Sequence, residues 1–358
     1  MEVCAIVKEK NPITSEVSLQ LFVRFKERKS KIMRLKTEID TDGVPSLSLE
    51  ANLNNIYGDA KQLHFDVQFK EYSHIKTTVS LNGPIISDPD KRWSFSFLND
   101  GLDWSQNGIR EITSTFNPSI SFTTKYGHHV LGHSMSWRET KIDNTNPARL
   151  LLENCGHSFK NSVDHTFVQD TRNRKIFSST GHIFKMFNQL SGLVGDVSQF
   201  KNTFYYQKNW SFPALSGVTF SAVLNTGFIQ NFGGKNTNII DRFFIGGYNN
   251  LRGFKFNSVG ASIHKKYIGG DFFATSGAYL HLPIPFTSSE FQNTFKLQAF
   301  MNSGLVTSPK NGLIKQLKSI DYNSLNCSIG CGLVANVANI IRLEINYCHP
   351  IKVQTGAS

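Results

Sequence analysis

Strict two-residue alternation constrains this chain more than any other feature. Leu47, Leu49, Ala51 and Leu53 alternate with Ser46, Ser48, Glu50 and Asn52. Leu63, Phe65, Val67 and Phe69 alternate with His64, Asp66, Gln68 and Lys70. Successive strand side chains point to opposite faces, so these runs are strands with one apolar and one polar face. Met33, Leu35 and Ile39, set against Arg34, Lys36, Glu38 and Asp40, add a third such run. Turns at Asp42-Gly43 and Gly58-Asp59 join the three as an antiparallel meander.

The pattern continues to the end of the chain. It predicts strands over 73–83, 92–99, 111–125, 128–141, 157–170, 178–190, 197–210 and 214–227, then 269–283, 293–303, 325–336 and 339–349. Lengths near ten residues suit a strand that crosses a membrane at a tilt. No segment keeps helical period for long, and only Asn311 to Lys318 reads as a short loop helix. A soluble sandwich also alternates, but so many strands would need two or three domains. No linker, composition shift or fixed-period repeat marks a boundary. A closed barrel of about fifteen strands removes exposed edges, turning the apolar face to lipid and the polar face to the lumen. The expected fold is therefore all-β, a transmembrane antiparallel β-barrel. An apolar content of 39% and 29 Phe agree with it, because alternation hides lipid-facing residues in the average.

Several function classes recede at this stage. The net charge is +11, yet only Lys26 to Lys36 is densely basic and no aromatic-rich basic motif accompanies it, so nucleic acid is not an expected partner. Five scattered Cys (Cys4, Cys155, Cys327, Cys331, Cys348) form no disulfide framework. The 11 His include no metal-ligand spacing; His128-His129 and His133 read as solvated turn or lumen residues. Nothing resembles a nucleophile elbow, so no enzyme and no cofactor is expected. Met1 to Lys10 reads neither as a secretory signal nor as an amphipathic presequence.

One stretch stands apart from the strands. Asp241 to Phe254 carries Gly246, Gly247 and Gly253 around Leu251, Arg252 and Phe254, so a long Arg rides on a tightly turned loop. It does not match a dinucleotide-binding turn, since no strand-turn-helix follows. Counting from Ile32, eleven predicted strands precede it.

This loop resembles the Gly-Gly-x-x-x-(Val/Ile/Leu)-Arg-Gly-(Phe/Tyr) signature of the bacterial surface antigen family of outer-membrane assembly barrels, placed between its eleventh and twelfth strands. Asp170-Thr171-Arg172-Asn173 followed by Gly181 resembles the family's Asp-x-Arg turn, with Ser178 where Pro is usual. Gly269-Gly270-Asp271 and the run from Asn339 to Gly356 are similar to later family segments, the last to its mitochondrial branch. The resemblance implies a sixteen-stranded barrel whose loop Arg, here Arg252, is tucked into the lumen against an acidic wall residue. The matching wall run is Phe300 to Gly304, which has neutral Asn302 at the acid's place; Asp271 and Glu344 are the other candidate partners. It further implies that residues 1–30 are the remnant of a polypeptide-transport-associated domain or a linker, that 31–358 form the barrel, and that the sixteenth strand is missing. The seam strand would be Arg34, Leu35, Lys36, Thr37, Glu38, Ile39 and Asp40. Implied partners are β-barrel precursor proteins, other subunits of a sorting and assembly complex in the mitochondrial outer membrane, and lipid. The implied function is precursor insertion by strand templating at the seam, with a passive diffusion channel as the alternative.

Overall fold

The computed structural model describes residues 2–10, 17–24, 29–39, 45–56, 58–70, 75–85, 88–104, 109–142, 152–212, 217–234, 236–263, 266–308, 324–337 and 341–354. The strands are β1 (Glu2–Lys10), β2 (Val17–Arg24), β3 (Lys31–Ile39), β4 (Pro45–Ile56), β5 (Lys61–Lys70), β6 (Lys76–Ile85), β7 (Asp88–Trp104), β8 (Ile109–Thr124), β9 (Gly127–Ile142) and β10 (Gly156–Asp170). They continue as β11 (Gly181–Gly195), β12 (Gln199–Ser211), β13 (Thr219–Asn231), β14 (Ser262–Ile263), β15 (Lys266–Tyr267), β16 (Phe272–Pro283), β17 (Phe295–Thr307), β18 (Asn326–Val337) and β19 (Ile341–Lys352). β1 and β2 pair with each other as a separate hairpin. β3 to β13 and β16 to β19 form one 15-stranded antiparallel sheet in which sheet order follows chain order, with β3 and β19 at its edges.

Eleven strands of this sheet precede the loop and four follow it, as the alternation predicts. Small differences lie at the ends. The strand expected over 178–190 runs over Gly181–Gly195, because 171–180 are used in the preceding turn. The strand expected over 269–283 begins at Phe272, because Gly270 instead pairs with Phe243 inside the loop. A short helix, Ser289–Thr294, sits just before β17 and was not expected; the Ser288 side chain caps it by accepting from the Phe291 amide. The helix expected over Asn311 to Lys318, and Asp40 of the seam strand, lie outside the described residues.

Burial is inside-out. On β4, Ser46, Ser48 and Glu50 are buried at 5, 1 and 7% exposure, whereas Leu47 and Leu49 are 42 and 37% exposed. On β19, Ile341, Leu343, Ile345 and Tyr347 all face outward, Ile345 at 78%. On β17, Gln298 and Asn302 are buried while Leu297 and Met301 are exposed. A water-soluble sandwich would turn these faces the other way. Apolar side chains outside and a hydrogen-bonded polar wall inside are the arrangement of a membrane-spanning barrel, where lipid is the outer solvent. No described helix is long and apolar enough to cross a membrane, which has no bearing on crossing by strands.

The polar wall is cross-linked along the lumen face. Asn117 donates to Ser134 at 3.0 Å, the Ser134 hydroxyl bonds Asp164, and Ser162 donates to Asp164 at 3.0 Å. On the seam side, Arg34 lies 3.8 Å from buried Glu50 and Lys36 is ion-paired with the same carboxylate, while Met33 and Leu35 point outward. Thr37 shares the outward phase, opposite Leu47. Of Glu38 and Ile39 only the backbone is described.

Candidate functional site: a lumen loop held at two points

The loop between β13 and β16 folds back on itself before it reaches the wall. Phe243 and Gly270 exchange backbone hydrogen bonds of 2.8 and 3.0 Å, and Ile245 bridges Val259. At the tip the Gly247 amide donates to the Phe254 carbonyl at 3.0 Å, and the Leu251 amide to the Gly247 carbonyl at 3.1 Å. Gly246 has φ of +122°, and a Cβ there would lie 2.3 Å from the Lys255 carbonyl oxygen, so no other residue permits this turn.

An apolar knot holds the tip together. Leu251, fully buried, packs in a cluster with Phe254, Ile245, Val259 and Phe243 from the loop and with Ile229, Phe273 and Val306 from the barrel wall. Leu251→Ala removes the centre of this knot and is expected to destabilise the loop by about 2–5 kcal/mol. The measurement is protease cleavage between residues 243 and 259. It accelerates in the variant while the strands stay resistant; an unchanged cleavage rate would mean the knot does not hold the tip.

Arg252 extends from the knot to the wall. Its Nη2 is 2.9 Å from Glu344 Oε2 on β19, and its Nε donates to the Tyr248 carbonyl at 3.3 Å. The guanidinium carbon lies 5.1 Å from the Tyr279 ring centre on β16 and 5.0 Å from that of Phe300 on β17. A cation over two rings in a mostly desolvated place is attracted by both π faces. The Ser328 hydroxyl on β18 bonds the Arg252 carbonyl. One residue thus touches four consecutive strands of the sheet. Glu344 is itself held by Arg342, and by the Asn346 amide at 2.8 Å.

The other two candidate partners are placed elsewhere. Asp271 lies 3.9 Å from Arg242 in the loop stem. Asn302 faces the lumen at 2% exposure, against Gly277, but Arg252 does not bond it. Phe300, two residues before Asn302, supplies the wall contact instead, through its ring. At Gly253 φ is +88°, and a Cβ there would lie 3.1 Å from the Ser328 Cβ and 3.4 Å from the Cys348 Cβ.

A second attachment lies at the root of the loop and has no counterpart in the sequence reading. A 3₁₀ turn, Ile239–Asp241, is capped by Asn238 and seats Ile239 against Ile109 of β8. It delivers Asp241 to three cations on the wall. Arg138 of β9 donates to it at 3.1 Å, Lys160 of β10 at 2.6 Å, and Lys201 of β12 to its backbone carbonyl at 2.9 Å. Asp241, Arg138 and Lys160 are all buried. Asp241 is on the loop, outside the spanning strands. Burial pushes its carboxyl up, but the Lys160 and Arg138 charges outweigh that and hold it at about 2. A lone acid inside the apolar run Ile239 to Ile245 was the available signal, but nothing local names its partners.

The turn after β10 is also built. Arg172 grips Asp170 through two hydrogen bonds of 2.9 and 2.7 Å. Gly181 closes this turn with φ of +92°.

A 15-stranded, inside-out antiparallel sheet with a lumen loop pinned to its wall defines a membrane-spanning barrel of the outer-membrane assembly type. Residues 54–358 match the Omp85 superfamily domain, and the chain belongs to that superfamily. A sorting and assembly machinery component 50 homolog of Bos taurus is 30% identical over 87% of this chain, and its Homo sapiens counterpart gives the same values. The chain spans 66% of the length of each, slightly under two thirds. A SAM50-like protein of Schizosaccharomyces pombe is 27% identical over 97% of this chain and 73% of its own length. Among solved structures, BamA from Haemophilus ducreyi lacking POTRA domains 1–3 superposes with a TM-score of 0.79 at 17% identity, covering 99% of this chain and 73% of that one. CdiB from Acinetobacter baumannii gives 0.54 at 12% identity, covering 99% and 63%. Both likenesses concern the fold.

Proposed function

We propose that this protein folds and inserts β-barrel precursor proteins in the mitochondrial outer membrane, with a client strand templated on the edge of β3. The observation that carries this reading is the lumen loop whose tip is pinned through Arg252 to Glu344 on β19, at one end of the sheet. Backbone hydrogen bonds would supply affinity by strand addition, with no cofactor. The names of the sorting and assembly machinery relatives support the same function.

On this reading residues 31–358 are the spanning barrel, and the β1–β2 hairpin within 1–30 belongs to a transport-associated domain or its linker. The partners are precursor barrels, other subunits of a sorting and assembly complex, and lipid. Arg252 joins the loop to edge strand β19 through Glu344, so the loop senses or limits movement of that edge. A passive pore has no use for such a brace.

Depletion tests the reading directly. Newly imported porin remains protease-sensitive and outside the membrane when this chain is depleted, and re-expression restores assembly. Normal porin assembly after depletion would sink the proposal.

A further inference from the structure

Beneath the loop tip lies a half-open cavity of about 300 Å³, lined in part by the brace residues Arg252, Tyr279 and Glu344. Its lining includes Arg172, Lys175, Arg252, Lys296 and Arg342, which reach it from the β10–β11 turn, the loop tip, β17 and β19. The opposing charge is small. Among the described residues Glu344 is the one carboxylate in the lining, and Asp170 sits behind Arg172. The remaining wall is rich in neutral donors, including Tyr205, Gln207 and Ser178. Two donors on lining residues have no partner although buried: Arg252 Nη1 and Asn209 Nδ2, the latter on a residue 3% exposed. Both atoms are shut off from the cavity space, so they shape its wall rather than bind within it.

We propose that this cavity binds a compact phosphate-type oxyanion, either a free phosphate ester or a lipid phosphate headgroup. The three guanidinium groups are engaged with Asp170 and Glu344 and contribute positive field, while the Lys175 and Lys296 ammonium groups and the amide and hydroxyl donors supply the hydrogen bonds to phosphate oxygens. A volume of about 300 Å³ suits one or two phosphate groups better than a length of polypeptide. The proposal rests on the barrel and its pinned loop, not on precursor insertion, so either can fail alone.

The test is titration calorimetry on the full chain refolded in zwitterionic detergent, with inorganic pyrophosphate as probe and chloride at matched ionic strength as control. One saturable site is expected, and Lys175→Ala combined with Lys296→Ala weakens it on the order of a hundredfold. Far-ultraviolet circular dichroism verifies that the variant is folded. A second arm uses monomeric dihexanoyl phosphatidic acid. Binding of pyrophosphate alone assigns the site to a free phosphate ester, and binding of both assigns it to a headgroup. Absence of a saturable site in the wild-type chain overturns the proposal without recourse to any variant. Equal binding by a folded double variant, or tighter binding of hexaglutamate than of pyrophosphate, also overturns it.

Discussion

Gly253→Cys is expected to form a disulfide with native Cys348 and to arrest precursor insertion until reductant is added. The geometry is already in place, since a Cβ at position 253 lies 3.4 Å from the Cys348 Cβ, close to the separation found in disulfides. The new residue must hold φ of +88°, a strain of order 1–3 kcal/mol. The bond closes a chain loop of roughly 100 residues, worth about 4–5 kcal/mol of folding stability in the chain-entropy account, which offsets that strain. It fastens the loop tip to β19 covalently, where the native contact is the reversible Arg252–Glu344 pair. Gly253→Ser carries the same backbone strain without the bond, and Cys348→Ser in the Gly253→Cys chain removes the bond but keeps the strain. Precursor insertion into proteoliposomes, run with and without reductant, separates these cases. Insertion by the oxidised chain at the reduced rate would show that the tip and the edge strand never need to part.

The second large effect lies at the loop root. Asp241→Asn leaves Arg138 and Lys160 buried with Glu111 of β8, a buried carboxylate bonded by Thr113, as the remaining nearby acid among the described residues, and is expected to cost about 3 kcal/mol. Denaturant unfolding of the refolded barrel measures it. Adding Lys160→Met to Asp241→Asn should then cost far less than Lys160→Met does alone, because the two side chains act as one unit. Additive costs would show that the pair is not coupled. Acid gives an independent check with a definite sign. The Asp241 carboxyl titrates at about 2 in the folded protein against an ordinary value of 3.8. A depressed carboxylate stabilises fully above its unfolded value, so this contribution persists above about pH 4 and disappears as pH falls toward 2. In Asp241→Asn that acid-dependent step is absent.

The two attachments divide the loop's mechanics. The root is tied to β9, β10 and β12, well inside the sheet, by a buried ion cluster. The tip is tied to β16 through β19, on the side that ends at an edge, by one ion pair and two ring contacts. Removing one partner of a fully buried pair leaves an uncompensated charge, whereas Glu344 retains Arg342 when Arg252 lets go. Edge movement is therefore far less expensive at the tip than at the root. The root can keep the loop registered while the tip exchanges partners.

Which parts of this were legible in the sequence follows from the range of each signal. Leu47 to Leu53 against Ser46 to Asn52 already assigns two faces, because facing in a strand depends only on residue parity. That local rule, repeated, determined the number and order of the strands and the place of the Gly246 to Phe254 loop after the eleventh. By the same parity Asn302 stands on the opposite face from Leu297 and Met301, and it is buried on the lumen side. Parity says nothing about what stands across a lumen. Glu344 was one candidate among three until the curvature of the sheet brought β19 under the loop tip. Arg138 and Lys160 meet Asp241 across sequence separations of 103 and 81 residues, with no short-range pattern to announce them. By itself, then, the sequence determined an inside-out antiparallel barrel and a tight glycine loop carrying Arg252, since backbone alternation and turn formation are local. Only the tertiary structure decided which charges pair, because ion pairs across a lumen depend on how far the sheet bends round and where the loop is rooted, and both are set by all the strands together.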